Sequence, residues 1–319
     1  MNNSWMAVAG LWWAASVAAQ AYPVKPIRFI VPQAAGGTTD ILSRTVGQKL
    51  SEAFGQPVVM DNRPGANGIV GMEIVAKAPA DGYTLVAGGT STVAINSSFY
   101  SRIPYDPIKD FVPVVNLAYS TSVLVVHPSV AAKTIADVIV LAKAKPGELR
   151  FASAGNGSSP HLSAEVFKTM AGVNIVHVPY KGSTPGVIAT VSGETALMFT
   201  GVASVLAHIK AGRLRVLSVN GPRRSPALPA IPTAGASGLP GFEVDFWIGI
   251  LAPAATPGAV VTKLNTEVNR ILAQDDIKNR LLALGTDIIG GSAQSFADLI
   301  KVDVARWGKA IKASGAKAD

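Results

Sequence analysis

A chain of 319 residues with 28 Lys plus Arg against 20 Asp plus Glu carries a formal charge of +8, yet only 15% of its residues are charged. Set against the roughly 25% of an ordinary soluble domain and beside 49% apolar residues, this excludes a charge-solvated disordered chain and indicates one large or two smaller packed domains. The sequence has no cysteine, which excludes disulfides, cysteine nucleophiles, Cys-type zinc sites and iron–sulfur clusters.

Residues 1–21 hold no charged side chain, and an apolar run from Trp5 to Ala19 ends in Ala19-Gln20-Ala21. A short apolar run closing on A-x-A is the pattern of a secretory signal peptide, and the run falls short of the roughly 20 residues of a membrane span. The usual Lys or Arg ahead of the run is missing. The expectation is a signal peptide over residues 1–21 and a mature, secreted chain from Tyr22.

The rest reads as strand, loop and helix, repeated. Residues 27–31 are β-rich and stop at Pro32; a Gly-Gly loop leads to a helix over 40–50 with Ile41, Leu42, Val46 and Leu50 on one face. A strand at 58–60, a loop at 63–68 and a helix over about 69–77 follow, then a strand at 84–87 that opens into the loop 88–92. A strand at 123–126 precedes a helix capped by Thr134 with Asp137 three residues on, which stops at Pro146-Gly147. Residues 150–152 open into the loop 153–160 and a helix from about His161. Strands at 175–178 and 195–199 each open into a loop and another helix, and 216–219 is a strand. Residues 220–241, rich in Pro and Gly, read as an irregular connection. A strand resumes at 246–251. Thr256 and Pro257 are read as the cap and first turn of a helix, and a last helix begins near Ser292. Short strands alternating with helices argue for an α/β fold with parallel sheets.

The recurring feature is a strand that ends in a Gly, Ser, Thr or Asn loop just before a helix. Such a loop exposes backbone N–H groups at the positive end of a helix dipole, which suits a carboxylate or phosphate. Several such loops at strand ends converge on one crevice; the plainer reading is a set of ordinary tight turns. No G-x-S-x-G, H-E-x-x-H or Walker A motif occurs. The four histidines lack metal spacing. His127 and His177 read as structural, whereas His161, at a helix start beside a Gly/Ser loop, reads as adjacent to a site. The basic excess has no dense Lys/Arg runs, which argues against nucleic acid and leaves attraction of anions as its functional reading.

The loops carry a family likeness. Residues 31–40, 62–68, 81–85, 105–111, 154–161, 178–182, 224–229 and 247–253 match, in order and spacing, the extracytoplasmic solute-binding proteins of tripartite tricarboxylate transporters. The chain resembles this Bug family over nearly its whole mature length. The resemblance implies an α/β, two-lobed periplasmic-binding-protein-like fold with a cleft between the lobes. Lobe 1 would be residues 22–120 and 245–319, lobe 2 residues 121–244, hinged near 119–122 and 244–247. It implies a periplasmic monomer that captures a small organic anion for a two-subunit membrane permease, with no catalysis, cofactor or metal. A secreted enzyme acting on a small acid, or a sensor for a signalling partner, are the alternatives. The ligand-binding residues it implies are Gly36, Gly37, Thr38, Asp40, Thr90 and Ser91 in one lobe, and Gly155, Asn156, Ser158, His161, Tyr180, Lys181 and Thr200 in the other. Gly36 and Gly37 would bring backbone amides to a carboxylate, and Asp40 would support that loop. Gln33 stands where relatives often carry an aromatic residue, which implies a more polar pocket roof.

Overall fold

The computed structural model describes residues 22–314 and residue 318. The expected signal peptide, residues 1–21, lies outside them.

The first stretch of chain folds as β1 (Ile27–Val31), α1 (Thr38–Phe54), β2 (Val58–Asn62), α2 (Ile69–Ala76) and β3 (Thr84–Gly89). A π-helical turn, Thr90–Ile95, and α3 (Asn96–Phe99) lead to a ten-residue strand, β4 (Phe111–Ser120). The second stretch is β5 (Ser122–Val126), α4 (Ile135–Ala144), β6 (Arg150–Ser153), α5 (Ser159–Ala171), β7 (Val176–Pro179), α6 (Ser183–Val191), β8 (Leu197–Gly201), α7 (Val202–Lys210) and β9 (Arg215–Val219). The chain then returns through β10 (Phe246–Pro253), α8 (Gly258–Leu272), α9 (Asp275–Ala283), β11 (Thr286–Ile288) and α10 (Ala293–Ser314).

Two sheets result. Six strands are ordered β11-β4-β10-β3-β1-β2, and five are ordered β7-β6-β8-β5-β9. Strands β1, β2 and β3 pair in parallel, as do β7, β6 and β8. The expected parallel pairing is present, but both sheets are mixed: β10 runs antiparallel to β3 and β4, and β5 antiparallel to β8 and β9. The cause is the route of the chain. Strand β4 carries it out of the first sheet and β10 brings it back, so neighbours in one sheet run in opposite senses. The same holds for β5 and β9 in the second.

Helix α1 buries Leu42, Val46 and Leu50 against β1 and β3, the i, i+4, i+8 stripe of an amphipathic helix. The cap at α4 forms as expected: the Asp137 N–H donates to Thr134 Oγ1 at 3.1 Å and the Thr134 N–H to Asp137 Oδ2 at 2.9 Å. Helix α8 starts later than expected, with Pro257 rather than Thr256 as its cap residue. The two sheets meet through buried side chains. Ala94, Ile95 and Phe99 share a core with Phe151, Phe167 and Phe199, and Trp307 and Ile311 of α10 belong to it too. Among the described residues no helix is long and apolar enough to cross a membrane.

Candidate functional site

A cavity of about 70 Å³ lies between the sheets, and helix starts surround it. Thr38 and Thr39 are the first residues of α1; Ser158 caps α5 ahead of Ser159 and Pro160; Ser183 opens α6; Gly201 caps α7. The first N–H groups of a helix have no partner within it. Side chains often satisfy them, but the cap residues of α1, α6 and α7 are Gly37, Gly182 and Gly201, with no side chain to do so. Thr90, Ser91 and Thr200 add hydroxyls, and Phe246, Trp247 and Ile248 of β10 form an apolar wall. No charged side chain lines this cavity among the described residues. Four helix dipoles therefore act on a site whose side chains are neutral, an arrangement that stabilises an anion.

The walls are tied across the cleft. Thr38 Oγ1 lies 2.9 Å from Ser204 Oγ, and the Thr184 hydroxyl donates to the Ala35 carbonyl at 2.8 Å. Ser91 and Ser159 share a hydroxyl–hydroxyl bond, and the Ser159 N–H donates to Ser91 Oγ at 3.0 Å. The Tyr100 hydroxyl donates to the Asn156 carbonyl at 2.7 Å. The Trp247 N–H donates to Thr90 Oγ1 at 3.0 Å. Trp247 is fixed from behind, because its indole N–H donates to buried Asp303 at 2.6 Å.

A second cavity of about 520 Å³ adjoins the first and shares Gln33, Ala154 and Ser183 with it. Its other walls are Pro32, Ala34, residues 64–68, 155–156 and 179–182, and Tyr100.

Of the residues expected from the sequence, Thr38, Thr90, Ser91, Ser158 and Thr200 line the central cavity. Gly155, Asn156, Tyr180 and Lys181 line the second. Gly36, Gly37, Asp40 and His161 line neither. Gly36 differs most from its expected role: its N–H donates to Asp40 Oδ2 at 2.9 Å and so is engaged within the loop. Its φ of +79° explains the glycine, since other residues rarely adopt that region. Gly37 caps α1 without positive φ, and a Cβ there would meet only Ala34 O, at 3.5 Å. His161 lies behind its loop, its ring 4.1 Å from that of His177 and its Nδ1 accepting the Gly157 N–H at 3.1 Å.

Asp40 is the brace of the first loop. Buried, it accepts from the Gly36 N–H, from Arg44 Nε at 2.9 Å and from Asn62 Nδ2 at 2.9 Å. Burial alone would raise its carboxyl; bonds from Arg44, Gly36 and Asn62 outweigh this and hold it below the ordinary value. The stability it contributes is thus present above its unfolded value near 4 and is lost as pH falls through the lower folded one. Asp40→Ala should destabilise the protein by about 1–3 kcal/mol, because it removes the charged acceptor shared by the Gly36 N–H, Arg44 and Asn62. Urea unfolding at pH 7 checks this; an unchanged midpoint would remove the brace.

The sequence reading passed over Thr39, Ser159, Ser183 and Gly201, although each adjoins or lies within a loop already singled out, at a helix start. Ser120, Phe246 and Trp247 carry no local signal. They reach the cavity because β4 and β10 are neighbours there. Glu194 accepts the Tyr180 hydroxyl at 2.7 Å.

The model of the TctC family, described as the tripartite tricarboxylate transporter family receptor, matches residues 42–316. The chain belongs to this receptor family. Protein BugT of Bordetella pertussis is 36% identical to this TctC-family receptor over 313 residues, 98% of this chain and 95% of its own. The solved structure of R. palustris Rpa4515 with adipate is 38% identical, with a TM-score of 0.90, covering 92% of this chain and 98% of its own. The solved periplasmic binding protein BugD is 29% identical, with a TM-score of 0.89, covering 93% and 100%. The TctC-family receptor therefore has the two-lobed α/β fold of the periplasmic binding proteins, and the Bug-family resemblance read from its loops holds.

Proposed function

We propose that the protein captures a small organic carboxylate in the periplasm, closes its two lobes on it, and hands it to a two-subunit permease of the tripartite tricarboxylate class. The observation that carries this reading is the convergence of α1, α5, α6 and α7 N-termini on a hydroxyl-lined cavity with no charged side chain among the described residues. Each helix start contributes about 0.3–1 kcal/mol toward an anion, so four contribute roughly 1–4 kcal/mol. The seat is attractive without a fixed counter-ion, which favours reversible capture. A relative of the same fold is described with adipate, a dicarboxylate, and this supports the carboxylate class.

Among the described residues the lining hydroxyls have no histidine or carboxylate beside them in the cavity wall, so no nucleophile–base pair of these residues faces a ligand. The reading is accordingly capture without turnover, by a monomer exported on residues 1–21. Its lobes are residues 22–120 with 245–319, and residues 121–244, moving about 119–122 and 244–247.

A thermal-unfolding screen of mono-, di- and tricarboxylates beside sugars and cationic amino acids tests it. A ligand at 100 times its Kd adds about 2.7 kcal/mol to stability. At least one carboxylate should give such a shift and be recovered unchanged. Shifts by neutral or cationic solutes alone would overturn the reading.

A further inference from the structure

We infer that the cleft opens on one side only, with the packed core around Phe99 as its fixed edge, the loops 34–36 and 182–184 as its mouth, and Thr184 as the latch of that mouth; this rests on the capture reading above. The two sides of the cleft are built differently. On one, Ile95, Phe99, Trp307 and Ile311 of one proposed lobe are buried in a single core with Phe151 and Phe167 of the other. The Phe99 ring packs so closely on the loop ahead of α5 that a Cβ on Gly157 would lie 2.5 Å from it, and it stands edge-on to His161 at 5.8 Å. Parting the lobes here would return this apolar surface to water, and its burial is the dominant favourable term in folding.

On the other side α1 faces α7, and no buried apolar cluster spans the gap among the described residues. The cluster under α1 holds only residues from 22–120 and 245–319, and the cluster under α6 and α7 only residues from 121–244. The gap is bridged by hydroxyls: Thr184 donates to the Ala35 carbonyl at 2.8 Å, and Thr38 meets Ser204 at 2.9 Å. Gly182, at φ +111°, lies where a Cβ would be 2.8 Å from that of Ala34, so the two loops touch without interlocking side chains. Such bonds exchange readily for water and contribute little net, whereas a shared core comes apart only as a unit. Motion about 119–122 and 244–247 therefore parts the lobes at the mouth and leaves the Phe99 edge shut. Thr184 lines neither cavity, so it is a positioning residue: it sets how long the mouth stays closed and not which acid is held.

The test measures distances between spin labels in the ligand-free protein. The chain has no cysteine, so two introduced cysteines are the only labelling points. Gln48→Cys with Ala207→Cys spans the mouth from α1 to α7, and Thr169→Cys with Lys309→Cys spans the fixed edge from α5 to α10; all four positions are exposed. The mouth pair should show a second, longer distance, and the edge pair a single one. Thr184→Val, which keeps the shape and removes the hydroxyl, should raise the open-to-closed ratio at the mouth about two- to tenfold, the net worth of one hydrogen bond. Thr184→Ser should restore it, and the edge pair should stay single in both variants. Equal lengthening at both pairs, a single distance at both, or a mouth ratio unmoved by Thr184→Val overturns the inference and leaves carboxylate capture standing. Absence of a shift from every carboxylate in the thermal screen overturns capture itself.

Discussion

Gly201→Val should weaken carboxylate binding by about tenfold to a hundredfold while leaving the free protein folded. Gly201 ends β8 and caps α7 with φ −71° and ψ 140°, extended backbone that any residue adopts. Its glycine is there for space. A Cβ would lie 2.6 Å from Ser120 Oγ and 2.6 Å from Thr38 Oγ1. Gly201 belongs to the five-stranded sheet, whereas Ser120 ends β4 and Thr38 opens α1 on the six-stranded side. The added side chain is thus a wedge between the two halves of the site and also disturbs the Thr38–Ser204 contact. Overpacking of this kind costs about 1–3 kcal/mol, and about 1.4 kcal/mol is one decade of affinity. If the lobes part without ligand, as proposed, Thr38 moves off Gly201 while Ser120 stays near it through the Ser122–Gly201 pairing, so the urea midpoint without ligand should move less than the affinity. Calorimetry with the acid found by screening, beside small-angle scattering at saturation, measures both effects. Wild-type affinity in the variant would mean that capture does not bring Thr38 onto Gly201.

The same geometry sets a different expectation for Gly36. A Cβ there would meet only Thr184 Oγ1, at 3.5 Å, which is ordinary contact. The effect of Gly36→Ala should therefore come from its positive φ, about 1–2 kcal/mol of stability, with affinity changed less than in the Gly201 variant.

What the sequence made legible was local. Ile27–Val31 and the stripe Leu42, Val46, Leu50 announce a strand and a packed helix by period alone. Thr134 and Asp137 announce a cap because the hydrogen bonds close within four residues. Strand β4 was not visible, because Pro113 lies inside it and proline argues against a central strand. It is tolerated beside a register shift in the β4–β10 pairing, where Leu251 faces Pro113. The π-helical turn Thr90–Ile95 was read as a loop for a similar reason, since Thr-Ser-Thr has weak helix propensity and is held by tertiary burial. The site was half legible. Glycine and serine loops marked the helix starts, but which of them face one another depends on how the two sheets are apposed. That is why Thr38 and Thr200 share one cavity while Gly155 and Lys181 line the next.

Acid should destabilise the protein through His161 by roughly 2–3 kcal/mol between pH 7 and pH 4.5. The ring is buried, packed on His177 at 4.1 Å, edge-on to Phe99 at 5.8 Å and parallel to Phe151 at 6.4 Å. Burial first, and the charge of Lys168 second, push its pKa down to about 4. Glu165, 3.8 Å away, does not offset this, being drawn to Lys168 at 2.8 Å. In the unfolded chain the imidazole takes a proton near pH 6.5; in the folded protein it stays neutral to about pH 4. Between these values the unfolded state binds more protons, so stability rises with pH across the window and is complete above it. Protonation would also turn Nδ1 from acceptor to donor and break its bond from the Gly157 N–H. The loop carrying Ser158 and Ser159 into the central cavity would then loosen, so affinity should fall only as pH drops through about 4, below the window in which stability changes. Urea unfolding of wild type and His161→Gln at pH 7 and pH 4.5 separates this residue from the carboxylates. Glutamine keeps an acceptor for Gly157 and does not titrate, so the variant should lose most of the pH dependence in this window. Equal slopes in the two proteins would assign the acid sensitivity elsewhere.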